Sequence, residues 1–499
     1  MAIISDLMAF SAEHIFVVAI LLVIVYFTRN YFTPGVRLIP GPFLAKFSNI
    51  WRFFDVANGS AEATLYKLHR RHGDYVRLGP NVVSVWNLDA LKIIYGIKQG
   101  YRKTDFYKVQ QQLSKGKPAS TLFTTTDERF HSAIKRPISA AYSMSTLFER
   151  LDEFVAHNQV CEIATWLQYY AFDVIGELTF SKSLGFLEQG TDIDGIIAVG
   201  QMSWLDYIFI KNPLTQFIRG GSTGAIACFA RARLDERLKQ SKTTLHSPKT
   251  AHTQSRKDFL YRFLEAKEQY PEVVNDHQVF SYTVANMNAG SDTTAISLRA
   301  ILYYTLKNPR VKAKLYEELS TAYQAKRISL PVSWKESQEQ LPYLDAVIKE
   351  ALRLYPAIGL ILERIVPAEG LQLPNGGPLL PAGTIVGANP WIIHRHSVFG
   401  ENVESFVPER WLQADHESES QFQTRRQQML RANFTFGAGP RTCIGKNISL
   451  LEIYKLIPSL FLKYQIELEN IDKDWETFDA WFVRQKQMDV MIRHNKLDV

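Results

Sequence analysis

Between Phe280 and Leu306 the sequence carries a helical pattern long enough to cross an entire globule, ~40 Å at 1.5 Å per residue. Its centre breaks the rules of helix composition. Asn286, Asn288 and the run Ala289-Gly290-Ser291-Asp292-Thr293-Thr294 bring glycine, short polar and β-branched residues into mid-helix, where they are weak helix formers. Local lapses of this kind tend to mark functional sites. Ala289 and Gly290 leave room for a ligand against the backbone. Thr293 can bond back to a carbonyl and open the helix locally, and Asp292 offers a carboxyl to relay protons. Taken alone, the pattern also fits a packed helix with incidental threonines.

A second stretch narrows the choice. Phe436-Gly437-Ala438-Gly439-Pro440-Arg441-Thr442-Cys443-Ile444-Gly445 precedes an apolar helical pattern, Ile448 to Leu456. A helix beginning at Cys443 sets the sulfur near unpaired N–H groups and the positive end of a helix dipole, which favour thiolate over thiol. Gly437, Gly439 and Gly445 allow sharp turning and close approach of backbone to a flat ligand. Phe436 shields one side from water, and Arg441 is a cation for an anionic group. These features describe a single-thiolate site for a large planar metal cofactor; a buried structural cysteine is the plainer alternative. The spacing Phe-x-x-Gly-x-Arg-x-Cys-x-Gly is similar to the haem-binding loop of the cytochrome P-450 superfamily. Ala-Gly-x-Asp-Thr-Thr resembles that family's oxygen-activation motif and lies the usual interval upstream.

That resemblance covers about residues 34–495 and implies a mainly α fold with a small β subdomain. Cys443 becomes the axial ligand of haem b (iron protoporphyrin IX), in a loop marked by Phe436, Gly437 and Gly445. Thr293 and Asp292 become the proton-delivering pair. Glu350 and Arg353 share a face of the helix Asp345–Tyr355; with Arg410 of Phe406-x-Pro408-Glu409-Arg410 they correspond to the family's buried triad. Arg364 and Arg441 stand where haem propionates are held. His131 and Lys135, on a helix expected over Asp127–Ser143, occupy the positions of the family's Trp-x-x-x-Arg, so that role departs from the pattern. Arg136-Pro-Ile-Ser-Ala-Ala-Tyr-Ser and the general layout look like fungal secondary-metabolism members of the pisatin demethylase type.

The N-terminus adds a membrane question. Ile15 to Phe27 is an unbroken apolar run, close to a spanning length when extended to Phe32. Asp6 and Glu13 precede it, while Arg29, Arg37, Lys46 and Arg52 follow; this argues against a cleaved signal peptide and keeps the body cytosolic. Residues 1–33 are therefore expected to be an uncleaved single-pass anchor in the endoplasmic reticulum, followed by one catalytic domain, 34–499. Pro34-Gly35 and Ile39-Pro40-Gly41-Pro42 stiffen the linker. Length alone would suggest about three domains, but no shift in composition cuts the chain.

The rest of the pattern is consistent. Helix is expected over Leu65–Arg71 and Leu167–Phe180, and strands at 76–78, 82–86 and 360–366. Residues 100–126 and 196–228 read as pocket walls, 240–257 as a surface loop, and Asp415–Arg431 as a polar meander. Pro458 is expected to kink or end its helix, and Trp481-Phe482 to reach the pocket from a terminal hairpin. Cys161, Cys228 and Cys443 are too scattered for a disulfide framework. The net charge of +7, without a dense basic run, suggests an acidic partner or membrane and not nucleic acid. Arg425, Arg426, Arg431, Lys446 and Lys135 could form a basic face beside the cysteine loop. No Gly-rich flavin or nicotinamide motif follows a strand, so electrons from NADPH are expected through a separate reductase, with cytochrome b5 a further candidate. The function implied is a monooxygenase acting on a small apolar molecule. A haem-thiolate hydroperoxide isomerase or dehydratase is the first rival, though it needs no Asp–Thr relay. A non-catalytic membrane haem-binding protein is the second.

Overall fold

The computed structural model describes residues 2–96, 100–110, 112–114, 117–119, 124, 126, 144–193, 225–244, 258–479 and 481–495. Helix α1 (Ala2–Tyr31) leads to the short helices α2 (Ile50–Ala57) and α3 (Ala61–His72). Strands β1 (Tyr75–Gly79) and β2 (Val82–Val85) then pair antiparallel around Pro80-Asn81. Helix α4 (Leu88–Ile94) and strand β3 (Arg102–Lys103) follow. Next come α5 (Ser145–His157), β4 (Cys161–Glu162), α6 (Ile163–Phe180), α7 (Ala225–Thr244) and α8 (Phe259–Gln269). The expected rod is one continuous helix, α9 (Asp276–Lys307). Asn275 caps it by accepting from the Gln278 N–H, and Pro309 starts α10 (Pro309–Gln324) just past its end.

Helix α11 (Pro342–Leu354), strands β5 (Arg364–Ile365) and β6 (Ile385–Gly387), and helices α12 (Glu419–Ala432) and α13 (Lys446–Lys463) carry the chain to its last strands. These are β7 (Tyr464–Leu468), β8 (Thr477–Asp479), β9 (Val483–Gln485) and β10 (Asp489–His494). One sheet runs β1-β2-β6-β5-β3, with only the β2–β6 pair parallel. A second runs β7-β10-β4, and β8–β9 is a separate hairpin. The main core lies where α6, α9, α11 and α13 meet: Leu167, Leu298, Ile301, Leu344, Leu456 and Leu460 are all buried there. Each fully buried aliphatic side chain of this kind contributes ~1.5–3 kcal/mol.

Several expectations need correction. The stretch 415–431 is no meander: Ser418 and Gln421 form a reciprocal capping box, and α12 contains neither glycine nor proline. Of the kink or end expected at Pro458, the end does not occur: α13 runs on to Lys463. The carbonyl that proline leaves without a helical donor, Tyr454 O, accepts the Ser337 hydroxyl instead. The strand expected over 360–366 shrinks to Arg364–Ile365, because neighbouring amides go elsewhere, Leu362 N–H to Ala388 O and Gly359 N–H to Trp481 O.

Among the described residues no helix is long and apolar enough to cross a membrane. Helix α1 nonetheless leaves Phe16, Leu22 and Val25 more than half exposed. Its end is fastened to the globule: the buried Arg77 of β1 donates to Asn30 O at 2.6 Å and Tyr31 O at 3.2 Å, which satisfies carbonyls a helix terminus leaves open. The helix expected over Asp127–Ser143, most of the pocket wall expected at 196–228 and most of the surface loop expected at 240–257 lie outside the described residues.

Candidate active site

The cysteine loop is closed by its own backbone: Cys443 N–H donates to Phe436 O at 2.9 Å. Gly437 and Gly439 take left-handed φ values of 69° and 66°. A side chain on Gly439 would place Cβ 1.8 Å from Tyr95 O, so the loop can seat against α4 only with glycine there. Gly445, at φ −81°, has no such demand. A Cβ on it would meet only Cys443 Sγ, at 3.9 Å; glycine there keeps the space beside the sulfur open. Helix α13 begins at Lys446 with Gly445 as its cap, so the cysteine lies just before the helix and not in its first turn. Cys443 is exposed and in no disulfide. The Phe436 ring carries Lys446 Nζ 5.7 Å from its centre.

Helix α9 is buried toward both ends and open in the middle. Ala289 is exposed although Met287 and Ser291 are buried. Thr293 Oγ1 donates to Ala289 O at 2.7 Å and Ser297 Oγ to Thr293 O at 2.8 Å, so side chains one turn apart line the open face. Thr294 Oγ1 meets Ser449 Oγ at 3.1 Å, which fastens this turn to α13 just past the cysteine loop. Gly290 does something other than make room for a ligand: a Cβ there would lie 2.7 Å from Ile175 Cδ1, so this glycine lets α6 and α9 pack closely. Asp292 also differs from expectation. Its carboxylate takes Gln168 Nε2 at 2.6 Å on Oδ1 and Arg484 Nη2 at 2.8 Å on Oδ2. It faces α6 and β9 and makes no hydrogen bond to Thr293.

Arg364, on β5, is buried and makes no ion pair among the described residues. Its Nη1 donates to Glu363 O at 2.8 Å and reaches Tyr107 Oη at 3.4 Å, while its guanidinium stacks 4.8 Å from the Tyr95 ring centre. Burial pushes the Tyr107 phenol up, and the positive charges of Arg364 and Arg441 pull against that shift. Of the two, Arg364 contacts this buried phenol. His131 and Lys135 lie outside the described residues.

Glu350, Arg353 and Arg410 meet in the interior. Glu350 is fully buried and accepts from Arg353 Nε and Nη2 and from Arg410 Nε, each at 2.8 Å. Trp411 Nε1 and Val407 N–H add two more bonds at 3.0 Å. Burial alone would push the Glu350 carboxyl up, but the two guanidiniums outweigh it and hold the group below the ordinary range. His394 spends both ring nitrogens on the frame, Nδ1 with Arg353 O and Nε2 with Phe434 N–H. It thus ties α11 to the start of the cysteine loop.

Sequence reasoning missed Tyr95, Tyr107, Gln168 and Arg484. Only Tyr107 gave a signal, as an aromatic in the loop read as a pocket wall. Tyr95 bridges Leu362 O and Ala388 N–H with its hydroxyl and stacks on Phe434, a role set by segments remote in sequence. Trp481 packs against Phe106 and Tyr107 at the turn of the β8–β9 hairpin.

A mostly helical body with small sheets and a single cysteine loop leading into a core helix is the architecture of haem-thiolate enzymes. The profile described as Cytochrome P-450 matches residues 124–492. A cytochrome P-450 monooxygenase of Aspergillus terreus is 40% identical, covering 93% of this chain and 98% of its own length. Cytochrome P-450 monooxygenase cicH of Emericella nidulans is also 40% identical, covering 95% and 97%. Cytochrome P-450 monooxygenase vrtE of Penicillium aethiopicum is 34% identical, covering 95% and 92%. The chain belongs to the cytochrome P-450 family, as an enzyme of its monooxygenase class.

Proposed function

We propose that this enzyme inserts one oxygen atom from O2 into a small apolar organic substrate, by hydroxylation, epoxidation or oxidative demethylation, in fungal secondary metabolism. The observation that carries the reading is the accessible Cys443, held in a closed loop at the start of α13, which Thr294 and Ser449 fasten to the open turn of α9. The residues fit haem b: a lone soft sulfur donor for iron, clear space beside it at Gly445, and in Arg364 a buried guanidinium with no ion pair among the described residues, suited to a propionate.

Bound there, haem supplies the oxygen activation and radical chemistry, and thiolate ligation favours O–O cleavage. The chain supplies the setting. Amides and dipole at the start of α13 favour the negative sulfur of Cys443. Arg364 and Arg441 would hold the haem carboxylates, with His131 and Lys135 proposed as further ligands. Ala289 keeps the face of α9 low, and Thr293 Oγ1 holds a proton-bearing water next to it. Trp481 and Phe106 close the pocket to bulk water.

Electrons come from NADPH through a separate reductase, with cytochrome b5 as a second donor. Arg431 and Lys446 stand exposed on the cysteine side, whereas Arg425 is taken by Glu417. Residues 1–33 anchor the catalytic domain, 34–499, to the endoplasmic reticulum on the cytosolic side; the exposed apolar flank of α1 supports this. The test is the reduced, carbon-monoxide-treated protein. The red-shifted Soret absorption of thiolate ligation should appear and be lost in Cys443→Ser; an unchanged spectrum in that variant overturns the reading.

A further inference from the structure

Two acids, Glu62 and Asp479, meet in the interior where the hairpin β8–β9 joins the start of α3. Asp479 is fully buried and Glu62 nearly so. Asp479 Oδ2 accepts the Glu62 N–H at 3.2 Å, an amide that the first turn of α3 leaves open, and Asp479 N–H donates to Gly59 O at 2.9 Å. The two carboxyl groups also meet side chain to side chain. Among the described residues neither acid has an ion pair, and Glu62 Oε2 and Asp479 Oδ1 have no hydrogen-bond partner. A Cβ on Gly359 would lie 2.0 Å from Asp479 Oδ1, so the wall beside the acids is bare backbone. Two adjacent carboxylates without a cation cannot both stay charged in a dry interior. One negative charge suits the amides at the start of α3, and the other acid holds a proton. Burial first, and Glu62 after it, push the Asp479 carboxyl up to about 9, against the pull of the Glu62 N–H. The other groups facing the pair bring no cation to it. Asp55 on α2 is a third acid, and Tyr355, just past α11, is a phenol that burial keeps neutral. Arg299 on α9 faces Tyr355 and gives its Nε to Ala164 O at 2.9 Å.

We propose that Glu62 and Asp479 bind one proton between them and act as a latch that holds the hairpin β8–β9 against α3. The hairpin is a wall of the pocket that Trp481 and Phe106 close. Trp481 packs on Phe106 and Tyr107, Phe482 pairs with Ile358, and Trp481 O accepts the Gly359 N–H at 3.1 Å. With the proton in place one acid donates to the other and the hairpin stays seated. When the hairpin lifts, both carboxyls reach water and the proton passes to solvent. Two carboxylates remain, and they repel one another until a proton returns. Closing therefore takes up one proton. The stability that the latch contributes is complete below the ordinary carboxylate range, ~pH 4, and is lost as pH rises through the value of the buried acid. The latch stands on these contacts alone; its bearing on substrate entry rests on the proposed function.

Hydrogen exchange of the holoenzyme, read by mass spectrometry on the segment 477–485, measures the opening and needs no substrate. After correction for the exchange rate of the unfolded peptide, the opening constant should rise about tenfold per pH unit from ~pH 6 to ~8, one proton being released per opening. Asp479→Asn keeps a donor toward Glu62 but has no proton to lose, and Glu62→Gln offers an amide donor to an ionised Asp479. Both should hold the hairpin with an opening constant that no longer depends on pH over that range. A wild-type constant that is flat with pH, or a tenfold slope that survives in both variants, overturns the latch. Helix α5, which carries neither acid, should show no such slope, and the same slope there also overturns it. Should one substitution unfold the chain, the wild-type slope and the other variant decide alone.

Discussion

Removing the Glu350 carboxylate should cost this protein its fold before it costs any chemistry. Glu350 and Arg353 are both fully buried, and Arg353 has no other carboxylate among the described residues; its remaining acceptors are the carbonyls of His394, Val403 and Ser405. Glu350→Ala leaves that guanidinium charged, desolvated and without a counter-ion, and breaking a buried pair from one side costs ~3–5 kcal/mol. The Trp411 and Val407 N–H groups lose their acceptor as well, at ~1–3 kcal/mol for each one left unsatisfied. Against a typical stability of ~5–15 kcal/mol, this is enough to leave little folded protein. Glu350→Gln keeps an acceptor for Arg410 and Val407 but no negative charge, so it should fall between. Neutralising both partners, as in Glu350→Leu/Arg353→Met, removes the stranded charge and should recover part of the loss. The assay is urea unfolding followed by fluorescence of the chain's nine tryptophans, alongside haem bound per chain. If Glu350→Ala unfolds within about 1 kcal/mol of wild type and carries full haem, the account of this lattice is wrong.

Other perturbations separate the remaining claims. Gly439→Ala drives a Cβ to 1.8 Å from Tyr95 O and should abolish haem retention, whereas Gly437→Ala meets nothing closer than Leu362 Cδ1 at 3.8 Å and should cost only the ~1–2 kcal/mol of a left-handed alanine; equal losses would refute the docking argument. Burial lowers His394 to about 3 and His69 to about 4. Each stays neutral in the fold but binds a proton when unfolded below its ordinary range, so stability should fall as pH drops from ~6.5, by ~1.4 kcal/mol per pH unit for each histidine. Unfolding curves at a series of pH values give that slope, and His69→Gln should reduce it. Thr293→Ala should keep haem and thiolate ligation yet release more hydrogen peroxide per NADPH, and unchanged release would remove Thr293 from proton handling. A chain lacking residues 1–33 should leave the membrane fraction; if it stays fully bound, another surface holds it there.

What the sequence made legible follows from how locally each feature is determined. The rod α9 and the closed cysteine loop are readable because periodicity, caps and glycines act within a few residues. The α12 helix was hidden for the opposite reason. Its apolar face is narrow, with only Met429 and Ala432 buried, so hydrophobic pattern, the main signal of helix, was faint, although the Ser418–Gln421 capping box was there to be read. Pro458 misled because the rescue of Tyr454 O comes from Ser337, 117 residues away. Local rules cannot see such a partner.

The motif Asp292-Thr293 shows the same limit at the site itself. Adjacent residues on a helix point about 100° apart and do not face each other, so writing the acid next to the alcohol places them on different sides of α9. The alcohol falls on the open face with Ala289 and bonds within the helix. The acid must then find its partners on whatever packs against the other side, and those arrive from far along the chain, Gln168 at a separation of 124 residues and Arg484 at 192. A motif therefore identifies which side chains are present in one turn, while their direction, and hence whether a proton passes between them at rest, is decided by tertiary packing. In this enzyme that packing turns the carboxylate toward Gln168 and Arg484, with no hydrogen bond to the Thr293 hydroxyl.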